Sequence, residues 1–162
     1  MGAKSYYFED NQIKPIGDIP EEPSSSGLFE KIQNDLLKDI TILVVDDNPI
    51  NLTVAHKTLA KFGAKTVKAL SGAEGIAAFK KQPVQLVLMD LHMPFMDGFE
   101  AAQKLKAIKE FSERPAPILA YTTYAFEDVK EQIEACGLDG YIGKPFTQYQ
   151  VLERIIEAVK PQ

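Results

Sequence analysis

The sequence contains no tryptophan and a single cysteine, Cys136, so one chain cannot close a disulfide on itself. No apolar run approaches the roughly 20 residues needed to cross a bilayer, and we expect no membrane contact from this chain. The first twenty residues are charged and lack the apolar segment of a signal peptide. Together these absences predict a cytoplasmic, reducing setting. A content of 45% hydrophobic residues over 162 positions is enough for one globular domain with a sizeable core.

Positive charge is also scarce, and it is not gathered into a stripe. The net charge is −5, and residues 1–39 hold four basic and eight acidic groups, which leaves −1 for the other 123 residues. A protein that grips a phosphate backbone needs clustered lysine and arginine side chains. The composition therefore predicts that nucleic acid is not a partner.

The chain divides by composition into three parts. Residues 1–27 read as an N-terminal tail and a linker, because 15–27 contains three prolines and three consecutive serines. Residues 28–39 carry apolar side chains at helical spacing and predict a short amphipathic helix. Such a helix is too short to persist alone in water, so we expect it to dock on its own domain or on a second chain in a homodimer. Residues 40–162 form the main domain.

The main domain alternates between apolar runs and helical stripes. Strands are predicted at 42–45, 65–70, 86–89, 118–121 and 141–142, and helices at 51–62, 72–79, 98–108, 126–135 and 148–159. Ser71 and Glu74 suggest a capping box at the start of the second helix. Strands that are apolar on both faces predict an α/β fold with a doubly wound parallel sheet covered by helices.

Polar residues stand where these strands end. Asp46 and Asp47 follow the first strand, Asp90 ends the third, Thr122 follows the fourth and Lys144 the fifth. In a parallel sheet all these ends lie on one edge, where ligands bind. Three adjacent carboxylates repel one another, and a hard cation such as Mg²⁺ would relieve this. With a lysine and a hydroxyl nearby, the set suits phosphoryl transfer to a carboxylate.

Each residue alone has a simpler interpretation. Asp47 or Asn48 could cap the following helix, Thr122 could be another cap, and Lys144 could be an ordinary surface lysine. Their combination at four strand ends favours the site.

Four segments together resemble the receiver signature of two-component signalling proteins. They are 44–48 (Val-Val-Asp-Asp-Asn), 88–98 (Leu-Met-Asp-Leu-His-Met-Pro-Phe-Met-Asp-Gly), Thr122 and 140–145 (Gly-Tyr-Ile-Gly-Lys-Pro). The match covers about residues 40–159. It implies a flavodoxin-like, five-stranded sheet in the order 2-1-3-4-5. It also implies that Asp90 is the phosphoacceptor, which takes a phosphoryl group from a histidine kinase or a histidine phosphotransfer domain.

The same resemblance implies a role for each site residue. Asp47 and Asp90 would bind Mg²⁺ directly, the backbone carbonyl of His92 would complete the protein ligands, and Asp46 would act mainly through water. Thr122 and Lys144 would bind the phosphoryl oxygens and so assist the transfer catalytically.

Two further positions match features of the family. Pro145 corresponds to its cis proline, with a trans surface turn as the alternative. Tyr141 corresponds to its rotating aromatic switch, which acts with Thr122, with a half-buried strand tyrosine as the alternative.

The sequence also departs from the family in one place. Thr123 stands where the family has a small residue, and bulky Tyr124 follows it, so these two could crowd the phosphorylation site. His92, two residues after Asp90, could reach a hydrolytic water, although an exposed histidine without a role is the simpler interpretation.

The motif Asp-Asp-Asn-Pro-Ile-Asn at 46–51 looks like that of receivers fused to hybrid histidine kinases, and 2–9 resembles the closing strand of a kinase ATP-binding domain. A native tail is the alternative for 2–9.

From these resemblances we expect the chain to be part of a hybrid histidine kinase, with no output domain after the last helix. The alternative is a stand-alone response regulator that acts by protein binding. The chain would be a self-phosphorylating phosphoacceptor, and the sequence leaves open whether it counts as an enzyme.

Three rival functions fit the residues less well. A flavodoxin-like electron carrier needs a phosphate-binding loop after the first strand, where this chain has two aspartates. A haloacid-dehalogenase-type phosphatase needs an aspartate where His92 stands. A degenerate receiver that only binds partners would not require Asp47, Asp90, Thr122 and Lys144 together.

Overall fold

The computed structural model describes residues 6–9, 12–15 and 34–159. In the first of these parts, β1 (Tyr6–Glu9) pairs with β2 (Gln12–Pro15) in an antiparallel two-stranded sheet, with Tyr6 opposite Pro15. Of the strand suggested within 2–9, residues 6–9 form a strand, and residues 2–5 lie outside the described residues. Pro15, expected in the linker, instead ends a strand.

The main domain is built on a five-stranded parallel sheet. Its strands are β3 (Thr41–Val45), β4 (Lys65–Ala69), β5 (Leu86–Met89), β6 (Ile118–Thr122) and β7 (Gly140–Gly143). They lie in the order β4-β3-β5-β6-β7, and every neighbouring pair is parallel. The expected order 2-1-3-4-5 is confirmed.

Six helices connect and follow these strands. They are α1 (Pro49–Ala60), α2 (Gly72–Lys81), α3 (Gly98–Ala107), α4 (Lys109–Glu113), α5 (Phe126–Ala135) and α6 (Gln148–Val159). The Ser71 hydroxyl accepts from the Glu74 amide (3.1 Å), and the Glu74 carboxylate accepts from the Leu70 amide (2.8 Å), so the start of α2 is capped from both sides. Helix α4 was not predicted, since five residues are too few to show a helical period. No helix in the described ranges is long and apolar enough to span a bilayer.

The central strands feed two cores, one on each face of the sheet. Alternate residues point to opposite faces of a strand, which is why these strands are apolar throughout. One core contains Leu43, Val45, Val87 and Met89 and is covered by α2, α3 and α5. The other contains Ile42, Val44, Leu86 and Leu88 and is covered by α1 and α6.

The predicted helix at 28–39 is described only in part, because 28–33 lie outside the described residues. Asn34 and Asp35 are helical, and 36–39 form a turn rather than the helix that was predicted. Asp39 has a left-handed backbone (φ 68°), which ends the helical path. Leu37 is 1% exposed within the α1–α6 core, and its amide donates to the Phe62 carbonyl (2.7 Å). The described end of the segment thus docks on its own domain.

Candidate functional site

The ladder of the sheet continues past the strand ends and brings the polar residues together. The Asp90 amide donates to the Val45 carbonyl (2.9 Å), one residue before Asp46. Across the next strands, the Lys144 amide donates to the Thr122 carbonyl (2.7 Å). The site residues therefore lie at the ends of their strands, on the same edge of the sheet.

Three carboxylates meet at this edge. One oxygen each from Asp46, Asp47 and Asp90 lies within 4.8 Å of the other two. Asp46 is fully buried and Asp90 is 7% exposed, whereas Asp47 is exposed and opens the cluster to solvent. Clustered carboxylate oxygens, one of them open to water, fit the donor chemistry of Mg²⁺.

The Asp46 carboxylate is already held by the protein. Its Oδ1 accepts from the Asn48 amide (2.8 Å), and its Oδ2 accepts from Asn51 Nδ2 (3.1 Å) and Lys144 Nζ (2.6 Å). Among the described residues, none donates a hydrogen bond to the Asp47 carboxylate. Asp46 therefore organises the site, and Asp47 keeps its oxygens available to a ligand.

Asp90 is less well compensated. Its Oδ1 accepts a long bond from the His92 amide (3.3 Å), and Lys144 Nζ lies 3.9 Å from its Oδ2. Burial raises the pKa of Asp90, Lys144 acts against this, and the charges of Asp46 and Asp47 raise it further. The folded chain thus disfavours the ionised form of the Asp90 carboxyl group, and added positive charge would relieve this.

Thr122 is fully buried at the end of β6, and its Oγ1 accepts from the Tyr124 amide (3.2 Å). Tyr141 is half-buried with its ring 5.2 Å from that of Phe126, and its hydroxyl donates to the Tyr124 carbonyl. The Lys144–Pro145 peptide bond is cis, the isomer that the resemblance implies. The two proposed switch residues are therefore linked through the backbone of Tyr124.

One contact at the rim was not foreseen. His92 is exposed, but its Nδ1 lies 2.7 Å from the Tyr124 hydroxyl, and the two rings meet edge to face at 5.8 Å. This bond joins the loops after β5 and β6 across the mouth of the site. The simpler interpretation of His92 from the sequence, an exposed histidine without a role, did not foresee its hydrogen bond with Tyr124. Both residues lie two positions after a site residue, Asp90 or Thr122, and that equal spacing was the available signal.

Asn51 was also missed as a site residue. It lies in the first turn of α1, five residues after Asp46, so its amide reaches back to Asp46. The motif at 46–51 already contained it, and only its role was unassigned.

These contacts predict different outcomes for the two adjacent aspartates. Asp47→Asn should weaken Mg²⁺ binding with little change in stability, since its side chain is exposed and holds no described donor. Asp46→Asn should change metal binding less, yet lower the free energy of unfolding by about 3 kcal/mol, because it disrupts a buried ion pair. Metal titrations and urea unfolding of both variants measure this. Equal metal affinity in the parent and both variants would contradict the assignment.

Comparison with known proteins shows which family this chain belongs to. The family model described as response regulator receiver domain matches residues 42–156. Probable histidine kinase 4 of Oryza sativa subsp. japonica is 36% identical over 145 residues, covering 78% of this chain and 14% of that protein. Signal transduction histidine-protein kinase BarA of Shigella flexneri is 30% identical over 156 residues, covering 92% of this chain and 17% of that protein. The chain thus spans about a sixth or less of the length of these relatives.

A solved structure agrees with these matches. The receiver domain of a sensor histidine kinase from Pseudomonas aeruginosa, which has a magnesium ion coordinated in its active-site cleft, superposes with a TM-score of 0.67 at 28% identity. The alignment covers 75% of this chain and 98% of that one. By sequence, strand order and site, this chain belongs to the response regulator receiver domain family.

Proposed function

We propose that this chain is the phosphoacceptor of a phosphorelay and that Asp90 receives the phosphoryl group. The observation that carries this is the position of Asp90 at the end of β5, within 4.8 Å of two other carboxylates and 3.9 Å from Lys144. A carboxylate oxygen of Asp90 attacks the phosphorus of a partner's phosphohistidine. The P–N bond breaks, and the imidazole leaves with its electron pair and takes up a proton.

The ligand set proposed for Mg²⁺ is Asp47, Asp90 and the backbone carbonyl of His92, with Asp46 acting through water. Bound there, the ion would neutralise the carboxylates and the charge that develops on the transferring group. Both Asp46 oxygens accept hydrogen bonds, whereas no donor among the described residues reaches the Asp47 oxygens, and this difference supports the division.

Lys144 and Thr122 are proposed to bind the phosphoryl oxygens. The Lys144 ammonium already lies between Asp46 Oδ2 (2.6 Å) and Asp90 Oδ2 (3.9 Å). The Thr122 hydroxyl accepts from the Tyr124 amide, which leaves its own proton to donate.

The parent protein is proposed to be a hybrid histidine kinase, and the partner a histidine kinase or histidine phosphotransfer domain. Histidine kinases among the relatives support this, as does the match to BarA, whose 92% coverage must include residues before the receiver. A stand-alone regulator is the alternative. A homodimer, the absence of nucleic acid partners and a cytoplasmic location remain predictions from the sequence.

The direct test is incubation with acetyl phosphate and Mg²⁺, followed by intact mass measurement. The chain should gain one phosphoryl group, and chelation of the metal before the donor is added should prevent the gain. No gain over a range of donor and metal concentrations would overturn the proposal.

Phosphorylation should also move the proposed switch. In the present state Tyr141 donates to the Tyr124 carbonyl, and Thr122 accepts from the Tyr124 amide. We expect a beryllofluoride complex, in which the metal fluoride stands in for the phosphoryl group, to turn Thr122 toward Asp90 and to bury Tyr141 further. Crystal structures with and without beryllofluoride measure this. Unchanged rotamers of both residues would instead indicate a relay that passes phosphate on without switching.

A further inference from the structure

Tyr121, beside the switch threonine, lies against the site lysine. It is 1% exposed near the end of β6, and Lys144 Nζ is 4.2 Å from the centroid of its ring. A cation over an aromatic face within about 6 Å is attracted by the ring quadrupole. The contact joins β6 to the residue that follows β7.

The ring has little freedom to move away from the lysine. Phe146 packs on it with centroids 5.3 Å apart and an interplanar angle of 49°. In the sheet, Tyr121 lies opposite Ile142, which is also buried. Ile142 and Phe146, which flank the Lys144–Pro145 pair in the sequence, therefore hold the Tyr121 ring in place.

Water does not screen this contact strongly. The Lys144 side chain is 11% exposed, and cation–π attraction is larger where the cation is desolvated. Burial raises the pKa of the Tyr121 hydroxyl, and the charges of Asp46 and Asp90 raise it further, so the phenol stays neutral. The ring thus presents a lasting negative face to the ammonium.

Hydrogen bonding alone does not fix the position of the Lys144 ammonium. Among the described residues, the ammonium donates a hydrogen bond to Asp46 Oδ2 alone (2.6 Å), and Asp90 Oδ2 at 3.9 Å is too far for one. A single bond at the end of a four-carbon side chain leaves the ammonium free to swing about it. A ring face beneath it removes that freedom.

We propose that Tyr121 is a positioning residue, whose aromatic face holds the Lys144 ammonium between Asp46 and Asp90 for phosphoryl transfer. The proposal rests on the phosphoacceptor function proposed above. It assigns to the ring a role that an aliphatic side chain of similar size could not fill, because only the ring attracts the cation.

The test compares Tyr121→Phe with Tyr121→Leu. Phosphorylation by acetyl phosphate should be about tenfold slower in the leucine variant, the order expected for a desolvated cation–π contact, and nearly unchanged in the phenylalanine variant. In a Lys144→Ala background, Tyr121→Leu should cause no further loss. Tyr121→Met, also apolar but unbranched, replaces the leucine variant if that variant does not fold.

A second measurement does not depend on phosphorylation. In NMR spectra, the Lys144 Cε protons should be shifted upfield by the ring in the parent and in Tyr121→Phe, and this shift should vanish in Tyr121→Leu. If the parent is not phosphorylated, the proposed phosphoacceptor function is overturned. The chemical shift of the Lys144 Cε protons still shows whether the lysine lies over the Tyr121 ring.

Three results would overturn the positioning role. They are an unshifted Lys144 in the parent, equal phosphorylation rates in the parent and Tyr121→Leu, and equal losses in Tyr121→Phe and Tyr121→Leu.

Discussion

Asp90→Asn will gain no phosphoryl group from acetyl phosphate and Mg²⁺ under conditions in which the parent gains one. An amide oxygen is a poor nucleophile, and the change also removes one of the three charges that fit a divalent cation. Intact mass measures the result. Asp128→Asn, on the exposed surface of α5, is the matched control and should be phosphorylated like the parent. A full mass gain in Asp90→Asn would place the acceptor elsewhere.

The same variant should be more stable than the parent without Mg²⁺. Burial, as the largest cause, raises the pKa of Asp90, so the folded state binds its proton more tightly than the unfolded state does. The stability that this proton contributes is fully present below the pKa of Asp90 in the unfolded state. It is lost as the pH rises through the higher pKa of Asp90 in the folded state. At pH 7 the asparagine variant avoids that loss and should gain on the order of 1 kcal/mol. Urea unfolding at pH 7 and pH 4 measures the gain, which should shrink at the lower pH.

Most of the architecture could be predicted because the strands are buried on both faces. The run Leu86–Met89 is apolar throughout, and that pattern between helical stripes already indicates a parallel sheet. Convergence of Asp46, Asp90 and Lys144 followed from the same reasoning, since parallel strands end on one edge. Helix α4 and the turn at 36–39 could not be predicted, because short segments carry no period and obey local backbone geometry.

Side-chain pairs across loops could not be derived from the helical or strand periodicity of the sequence. The Tyr124–His92 bond and the Lys144 contact with Tyr121 join residues 32 and 23 positions apart. Neither pair has a spacing that a helix or strand would mark. They depend on the lengths of the loops and on rotamers, which only the packed structure fixes.

Gly98→Ala should damage both the fold and the site. Gly98 is the first residue of α3, and its amide donates to the Leu91 carbonyl (3.1 Å). A Cβ at Gly98 would lie 2.1 Å from the Asp90 carbonyl oxygen and 2.8 Å from its carbonyl carbon. Both atoms belong to the backbone of Asp90, the proposed phosphoacceptor, so the strain must move either α3 or Asp90. We expect a loss of about 3 kcal/mol in the free energy of unfolding and more than tenfold slower phosphorylation.

Gly72→Ala is the matched control, because Gly72 is also the first residue of its helix, α2. Its added Cβ would lie 2.7 Å from Met96 Sδ and 2.9 Å from Ala101 Cβ, both side-chain atoms. The Met96 thioether can turn aside, but Ala101 Cβ is fixed to its helix, so we expect a smaller loss than in Gly98→Ala, about 2 kcal/mol, with nearly normal phosphorylation because neither atom belongs to Asp90. Urea unfolding and phosphorylation rates compare the two variants. If Gly98→Ala matches Gly72→Ala in both, the loop after β5 tolerates the added methyl group, and close approach of α3 does not set the position of Asp90.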